Sequence, residues 1–274
     1  MKFENIMIGA DPELFLVDNN GHLKSAIGLI GGSKWEPRKL DELGHAVQED
    51  NVAVEFNIAP AKTKEDFKKS ISYVLGYLSD FVGKQQLLLN IIPAAMFPDS
   101  ELNCQKAMEF GCEPDYNVWL KTENQKPELP KELQNLRSCG GHLHISWDKS
   151  KDTGKDTDFP WTDDISKVES LVKAMDVFVG CPSILYDGDL MRRKLYGKAG
   201  AFRFKPYGVE YRSLSNFWLR ESTLVDWVYD QTLHAIDYIN SGGEIAEGHK
   251  ELINDCINNG NEASFLKLQQ YYPV

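Results

Sequence analysis

Cysteine is scarce in this chain and unpaired in its spacing. The five residues Cys104, Cys112, Cys139, Cys181 and Cys256 are odd in number and form no C-x-x-C. That argues against a disulfide framework and a thiolate zinc site, and for free thiols in a reducing compartment. Long apolar runs are missing too. No segment approaches the roughly 20 apolar residues of a membrane span, and residues 1–5 carry no basic stretch leading into an apolar one. Positive charge is in short supply: 30 Lys and Arg stand against 41 Asp and Glu, a net charge of -11 with no long basic run. This disfavours general nucleic-acid binding. A cytoplasmic protein is expected, with neither a membrane nor a nucleic acid among its partners.

What is present suits a globular enzyme. The 274 residues, 42% hydrophobic and 26% charged, suffice for a substantial core. No repeat, low-complexity tract or linker divides them, so residues 1–274 are read as one domain. Strands are expected at 6–8, 13–17, 52–58, 142–147 and 209–214, and a buried one at 87–92. Asp18-Asn19-Asn20-Gly21 signals a turn, with 22–27 completing a hairpin. Residues 28–37 form a Gly-rich loop, and 149–160 a polar one. Helical spacing marks Phe67 to Val82 behind a Thr63 cap, Ile165 to Phe178 behind a Thr162 cap, and Leu224 to Ile236. Shorter helices finish the chain. Strands and helices interleave without a βαβ period, which predicts an α+β fold with a largely antiparallel sheet.

Strand alternation then sorts the polar residues. Asp11 and Glu13 share one face, as do Glu55 and Asn57, then His142, His144 and Ser146, then Glu210 and Arg212. The opposite faces are apolar: Leu14 and Leu16, Val54 and Phe56, Leu143 and Ile145, Val209 and Tyr211. A sheet covered by helices on its apolar side would present the polar faces as a floor of acids, imidazoles and a guanidinium. Carboxylates suit Mg²⁺ or Mn²⁺, and imidazole is tolerated by Mn²⁺. Between Asp189 and Glu210 the acidic chain has no acid at all. It has Arg192, Arg193, Lys194, Lys198, Arg203 and Lys205, interrupted by Gly197, Gly200 and Gly208 in the manner of a flexible loop. Such a segment suits phosphate.

These motifs resemble a known family. Gly9-Ala10-Asp11-Pro12-Glu13-Leu14-Phe15-Leu16 is similar to the G-x-E-P-E-F-F-L segment of glutamine synthetases. Gly141-His142-Leu143-His144-Ile145-Ser146 resembles their H-x-H-x-S strand, and Val209-Glu210-Tyr211-Arg212 their E-x-R strand, in the same order. Glutamate–cysteine ligases share the scheme. The phage-associated amidoligases of the carboxylate–amine ligase superfamily look nearest, with the same D-P-E-x-F, D-N-x-A-x-E-F-N, G-G-H-x-H and G-x-E-Y-R-S-L stretches. The resemblance touches residues 6 to about 220. It implies a glutamine synthetase-like catalytic domain, a curved antiparallel sheet with helices on its apolar face.

The resemblance also implies roles. Glu13 and Glu55 would bind one metal, and Asp11, His142 and Glu210 a second, with Asp11 replacing the usual Glu. His144 and Ser146 would lie near the nucleotide. Arg212 and one or more of Arg192, Arg193 and Arg203 would hold the γ-phosphate, with Glu55, Arg212 and Arg203 acting in catalysis. Spacing does not choose between Glu49 and Asp50 as the acid preceding Glu55. The implied cofactors are ATP and Mg²⁺ or Mn²⁺. The substrates are a carboxylate and an amine, joined through an acyl phosphate, in the host cytoplasm if the protein is phage-encoded. Substrate identity and oligomeric state are not readable. Two rival readings are a zinc hydrolase using His142 and His144, and a non-catalytic module that keeps the fold. His22, His45, His234 and His249 have no partner pattern, Trp218 and Trp227 are expected in the core, and Gly31-Gly32-Ser33-Lys34 lacks full phosphate-loop spacing.

Overall fold

A computed structural model describes residues 2–108, 115–125, 129–148 and 162–274. The polar loop expected at 149–160 and Cys112 lie outside them, and Thr162, expected as a cap, is the first residue of its helix. The strands in chain order are β1 (Met7–Ala10), β2 (Glu13–Asp18), β3 (Leu23–Lys24), β4 (Arg38–Lys39), β5 (Ala46–Asp50), β6 (Ala53–Asn57), β7 (Leu87–Asn90), β8 (Ala94–Met96), β9 (Tyr116–Asn117), β10 (Thr122–Glu123), β11 (Leu136–Ser138), β12 (Leu143–Ser146), β13 (Ala201–Lys205) and β14 (Gly208–Tyr211).

Two six-stranded sheets run β1-β12-β14-β13-β9-β10 and β3-β2-β6-β5-β4, with β7 beside β2 and β8 paired to β11. Every strand pairing among the described residues is antiparallel. The segment holding β1 and β2 ties the sheets together. On one flank the Asp11 and Glu13 amides donate to the His142 and Gly140 carbonyls; on the other, the Phe56 and Ile58 amides donate to the Pro12 and Ala10 carbonyls. The expected α+β fold with a curled antiparallel sheet is borne out.

The apolar strand faces build the core as alternation predicts. Leu14, Leu16, Val54, Phe56, Leu143, Ile145, Val209 and Tyr211 are fully buried in one cluster. Helix Lys64–Gly83 adds Phe67, Ile71, Val74 and Leu78, and helix Thr162–Met175 adds Val168, Leu171 and Val172. The Thr63 hydroxyl caps the first helix by accepting from the Asp66 amide at 3.1 Å. Helix Ser222–Asn240 and the shorter Lys250–Asn259 and Glu262–Leu268 complete the layer.

Two expectations need correction. Of residues 87–92, 87–90 form β7, which is partly exposed rather than buried, because among the described strands it pairs only with β2. The basic segment is not a flexible loop. Asp189 caps helix Leu190–Leu195, its side chain accepting from the Met191 and Arg192 amides. Ala201–Lys205 is a strand between β9 and β14. Trp218 is fully buried as expected, its indole N–H donating to the Gly141 carbonyl at 3.1 Å, while Trp227 is only partly buried, its ring against Phe217 and Tyr186.

Candidate active site

Register carries the polar residues onto one floor. Gly9, His144, Glu210 and Arg203 are partners across β1, β12, β14 and β13. Glu13, Glu55 and Gln48 are partners across β2, β6 and β5. Asp11 sits between these rows. Above the floor lies a cavity of about 1110 Å³ lined by Asp11, Glu13, Glu55, His142, His144, Ser146, Arg192, Arg203 and Arg212, among others. These nine are among the eleven residues singled out from the sequence. Glu210 lies beneath the cavity surface, fully buried and held by Arg212, by Lys205 Nζ at 2.6 Å and by Arg203 Nη1 at 3.6 Å.

The eleventh, Arg193, corrects the expectation that it faces phosphate. Its guanidinium is buried away from the cavity, donating to the carbonyls of Ile257 at 3.1 Å and Asp187 at 3.3 Å and to the Ser183 hydroxyl. Helical geometry explains this, since neighbouring helix residues point some 100° apart and only one can face the site. Arg192 takes that direction, donating to the Ser213 carbonyl at 3.1 Å and the Arg212 carbonyl at 3.3 Å. Gly197, at φ +76°, admits it: a Cβ there would fall 1.9 Å from Arg192 Nη1.

The paired glycines before β12 are equally constrained. A Cβ on Gly140 would meet His142 Nε2 at 2.3 Å. One on Gly141 would meet the Ser215 carbonyl oxygen at 2.2 Å and Trp218 Nε1 at 2.5 Å. Close packing under the imidazoles, rather than flexibility, accounts for this Gly-Gly.

Charge divides the floor into two regions. In the first, Glu13, Glu55 and Asp50 repel one another. Burial and the Asp50 charge push the Glu13 carboxyl up to about 7. Burial, then Asp11, Asp50 and Glu13, push Glu55 well above the ordinary range. Withdrawal from bulk water raises Asp50. Gln48 Nε2 donates to Glu55 at 2.6 Å, and the Gly140 amide to Glu13 at 2.7 Å. A group of acids so placed fits a cation, which would replace the protons they otherwise hold.

In the second region, acids meet bases. Burial opposes the charge on Asp11, but His144 and His142 outweigh it and hold the carboxyl well below its usual range. Burial likewise opposes ionisation of Glu210, while Arg212 and His142 bring it to about 2. Burial and the neighbouring Arg212 lower His142 to about 4, so it is neutral at pH 7. Asp11, His144 and Glu210 each offer a ligand atom, all within 4.8 Å of one another. Asp11 Oδ1, His144 Nε2 and Glu210 Oε2 are also buried without an aligned hydrogen bond. Two carboxylates and an imidazole converging on one point fit Mg²⁺ or Mn²⁺, with Lys205 Nζ, 2.6 Å from Glu210 Oε2, as the competing charge. Geometry draws His144 into this cluster, whereas the resemblance assigned His142. His142 Nδ1 stands 3.4 Å from Asp11 and 3.7 Å from Glu210, close to the same centre.

Several site residues escaped the sequence. Both Glu49 and Asp50 line the cavity, but Asp50 is the one on the face of Glu55, whose carboxyl feels its charge. Glu49 points the other way, accepting from the Gly28 and Gly31 amides and pairing with Lys106. A two-residue hairpin turn at Asn51-Val52 would have decided this, because it pairs Asp50 with Ala53 and Gln48 with Glu55. Asp115 Oδ2, 3.2 Å from Arg212 Nε, lies in a stretch with no readable period. Tyr207 follows from the unrecognised β13 hairpin, which also brings Lys205 of the basic segment onto Glu210. Lys34 and the 84% exposed Trp35 stand at the rim, so the loop 28–37 does reach the cavity.

Comparison with known proteins adds to this picture. Residues 162–237, which include β13, β14, Glu210 and Arg212, match the family of phage phiEco32-like COOH.NH2 ligase-type 2. No curated protein matches the chain. A solved structure described as a novel glutamine synthase homolog is similar at 13% identity, covering 97% of this chain with a TM-score of 0.41. The chain spans 66% of that protein's length, just under two thirds. The ordered motifs and the match over residues 162–237 agree, and the chain is similar to the carboxylate–amine ligases of the phage phiEco32-like type.

Proposed function

We propose that this chain is an ATP-dependent carboxylate–amine ligase, its 274 residues acting as one catalytic domain. The observation that carries this is the joint presence, on one floor, of the converging Asp11–His144–Glu210 cluster and of the cations Arg203, Lys205 and Arg212. Metal ligands beside guanidinium groups are the arrangement that phosphoryl transfer from a nucleotide needs.

The reaction has two steps. A substrate carboxylate oxygen attacks Pγ of ATP, the Pγ–O bond to the β-phosphate breaks, and ADP leaves. The amine nitrogen then attacks the acyl carbon, the C–O bond to phosphate breaks, and the amine's proton passes to solvent. Bound Mg²⁺ or Mn²⁺ would neutralise phosphate charge as it develops. Asp11, His144 and Glu210, with His142 adjacent, would hold one such ion, and Glu13, Glu55 and Asp50 another. Arg212 and Arg203 would grip the transferring phosphoryl group, with Arg192 behind them, and His144 and Ser146 line the nucleotide side. A reaction fed by ATP belongs in the cytoplasm, that of the host if the protein is phage-borne.

The test is ADP release with Mg²⁺ or Mn²⁺ over pools of carboxylates and amines, comparing wild type with Glu55→Gln. Release in one pool, lost in the variant, is expected. An equal rate in the variant would remove Glu55 from catalysis. Failure of the wild type to bind ATP with either ion would sink the ligase reading.

A further inference from the structure

One tyrosine outside every motif touches the heart of the site. Tyr207 lies in the two-residue turn between β13 and β14, whose ends Lys205 and Gly208 are register partners. Its hydroxyl is hydrogen-bonded to His144 Nδ1. Its ring lies against the imidazole, with centroids 5.8 Å apart and planes 28° from parallel. The other imidazole nitrogen, Nε2, faces Asp11 Oδ2 at 3.0 Å yet has no aligned hydrogen bond. The turn itself is pressed onto β12: a Cβ on Gly208 would fall 2.1 Å from the Ile145 carbonyl oxygen. The turn backbone is thus held against the strand that carries His144, while the Tyr207 ring stays 41% exposed.

We propose that Tyr207 is a positioning residue for His144, holding Nδ1 so that Nε2 is presented to a divalent cation between Asp11 and Glu210, an inference that rests on the metal–nucleotide reading above. Coordination through Nε2 uses that nitrogen's lone pair, so the ring proton must reside on Nδ1 and be donated outward. A tyrosine hydroxyl accepts that proton's hydrogen bond, and by rotating it donates to Nδ1 in the other tautomer. It therefore supports the ring in both states. A phenol keeps its proton at neutral pH, so the hydroxyl remains both donor and acceptor. Phenylalanine would keep the ring contact and lose both hydrogen-bonding roles.

The experiment is Mn²⁺ binding to the full chain without nucleotide, followed by electron paramagnetic resonance, for wild type, Tyr207→Phe, His144→Ala and the double variant. Loss of an outer partner of a metal-bound histidine weakens affinity roughly 10–100-fold. Tyr207→Phe should therefore bind at least about tenfold more weakly. The double variant should bind no more weakly than His144→Ala alone, since Tyr207 acts through His144. Nitrogen NMR of the wild-type ring during Mg²⁺ titration should show the proton settling on Nδ1. Unchanged Mn²⁺ affinity in Tyr207→Phe, losses that add in the double variant, or a ring proton that stays on Nε2 would each overturn the proposal. A wild type that binds no Mn²⁺ would overturn the metal reading itself, and this inference with it.

Discussion

Glu13 and Glu55 stand directly opposite each other on neighbouring antiparallel strands. Like charges at such a position destabilise a sheet by roughly 0.2–1 kcal/mol, and partial burial adds to the cost. Under the proposed function, an arrangement that weakens the fold is explained by a cation that it would attract. Glu55→Gln should then raise the melting temperature in chelator by a few degrees, about 1 kcal/mol of stability. The same variant should lose most of the stabilisation that Mn²⁺ gives the wild type. Thermal denaturation with and without Mn²⁺ checks both, and a variant less stable than wild type in chelator would refute the repulsion.

The same repulsion sets a pH dependence. Glu13 has a folded pKa of about 7 against an ordinary 4.5. The fold favours its protonated form, so this stability is complete below about 4.5 and is lost as pH rises through about 7. The loss is on the order of 3 kcal/mol. A saturating divalent cation should cancel it, because coordination favours the ionised form. Melting temperature in chelator should therefore fall between pH ~5 and ~8, and the benefit of Mn²⁺ should grow over the same interval. A chelator curve that is flat across this range would mean that Glu13 ionises at its ordinary pKa.

Neighbouring glycines before β12 should fail in different ways. Gly141→Ala drives a methyl into a backbone carbonyl and a buried indole, neither free to move. It should cost about 3 kcal/mol or more, within the upper range for overpacking, seen as a large drop in melting temperature. Gly140→Ala meets only the end of the His142 ring, which can swing aside. It should fold nearly normally yet bind Mn²⁺ more weakly, because the displaced imidazole lies beside Asp11 and Glu210. Equal stability losses in the two variants would contradict this division.

Much of this site was legible because strand parity is a hard rule. Glu55 opposite Val54, or His144 opposite Leu143, leaves only one face for the charged residue once the apolar face is committed to the core. What parity does not supply is pairing across distant segments. That is why Asp50 and Glu49 stayed undecided until register joined β5 to β6, and why Asp115 went unseen. β13 was obscured by composition. Its Phe202 and Phe204 alternate with Arg203 and Lys205 as a strand should, but flanking glycines and lysines read as a loop. Tyr207 was invisible for the same reason, since its importance exists only once the hairpin brings it to His144. Arg193 is the converse case, a residue of the right chemistry turned away by helical geometry.

That divergence of Arg192 and Arg193 gives the sharpest contrast. Arg193 is buried among carbonyls of the Lys250–Asn259 helix and the segment at Asp187, so Arg193→Ala leaves several acceptors unsatisfied. It should cost on the order of 3 kcal/mol, lowering the melting temperature, while the folded fraction keeps its ATP affinity. Arg192 lines the cavity and interacts electrostatically with Glu13. Arg192→Lys keeps a positive charge but loses the fork that spans the Ser213 and Arg212 carbonyls. It should weaken ATP binding about tenfold at modest cost in stability, as Arg212 loses its backing. ATP affinity by calorimetry, set beside melting temperature, separates the two. Weakened ATP binding in well-folded Arg193→Ala, or none in Arg192→Lys, would reverse the assignment of these neighbours.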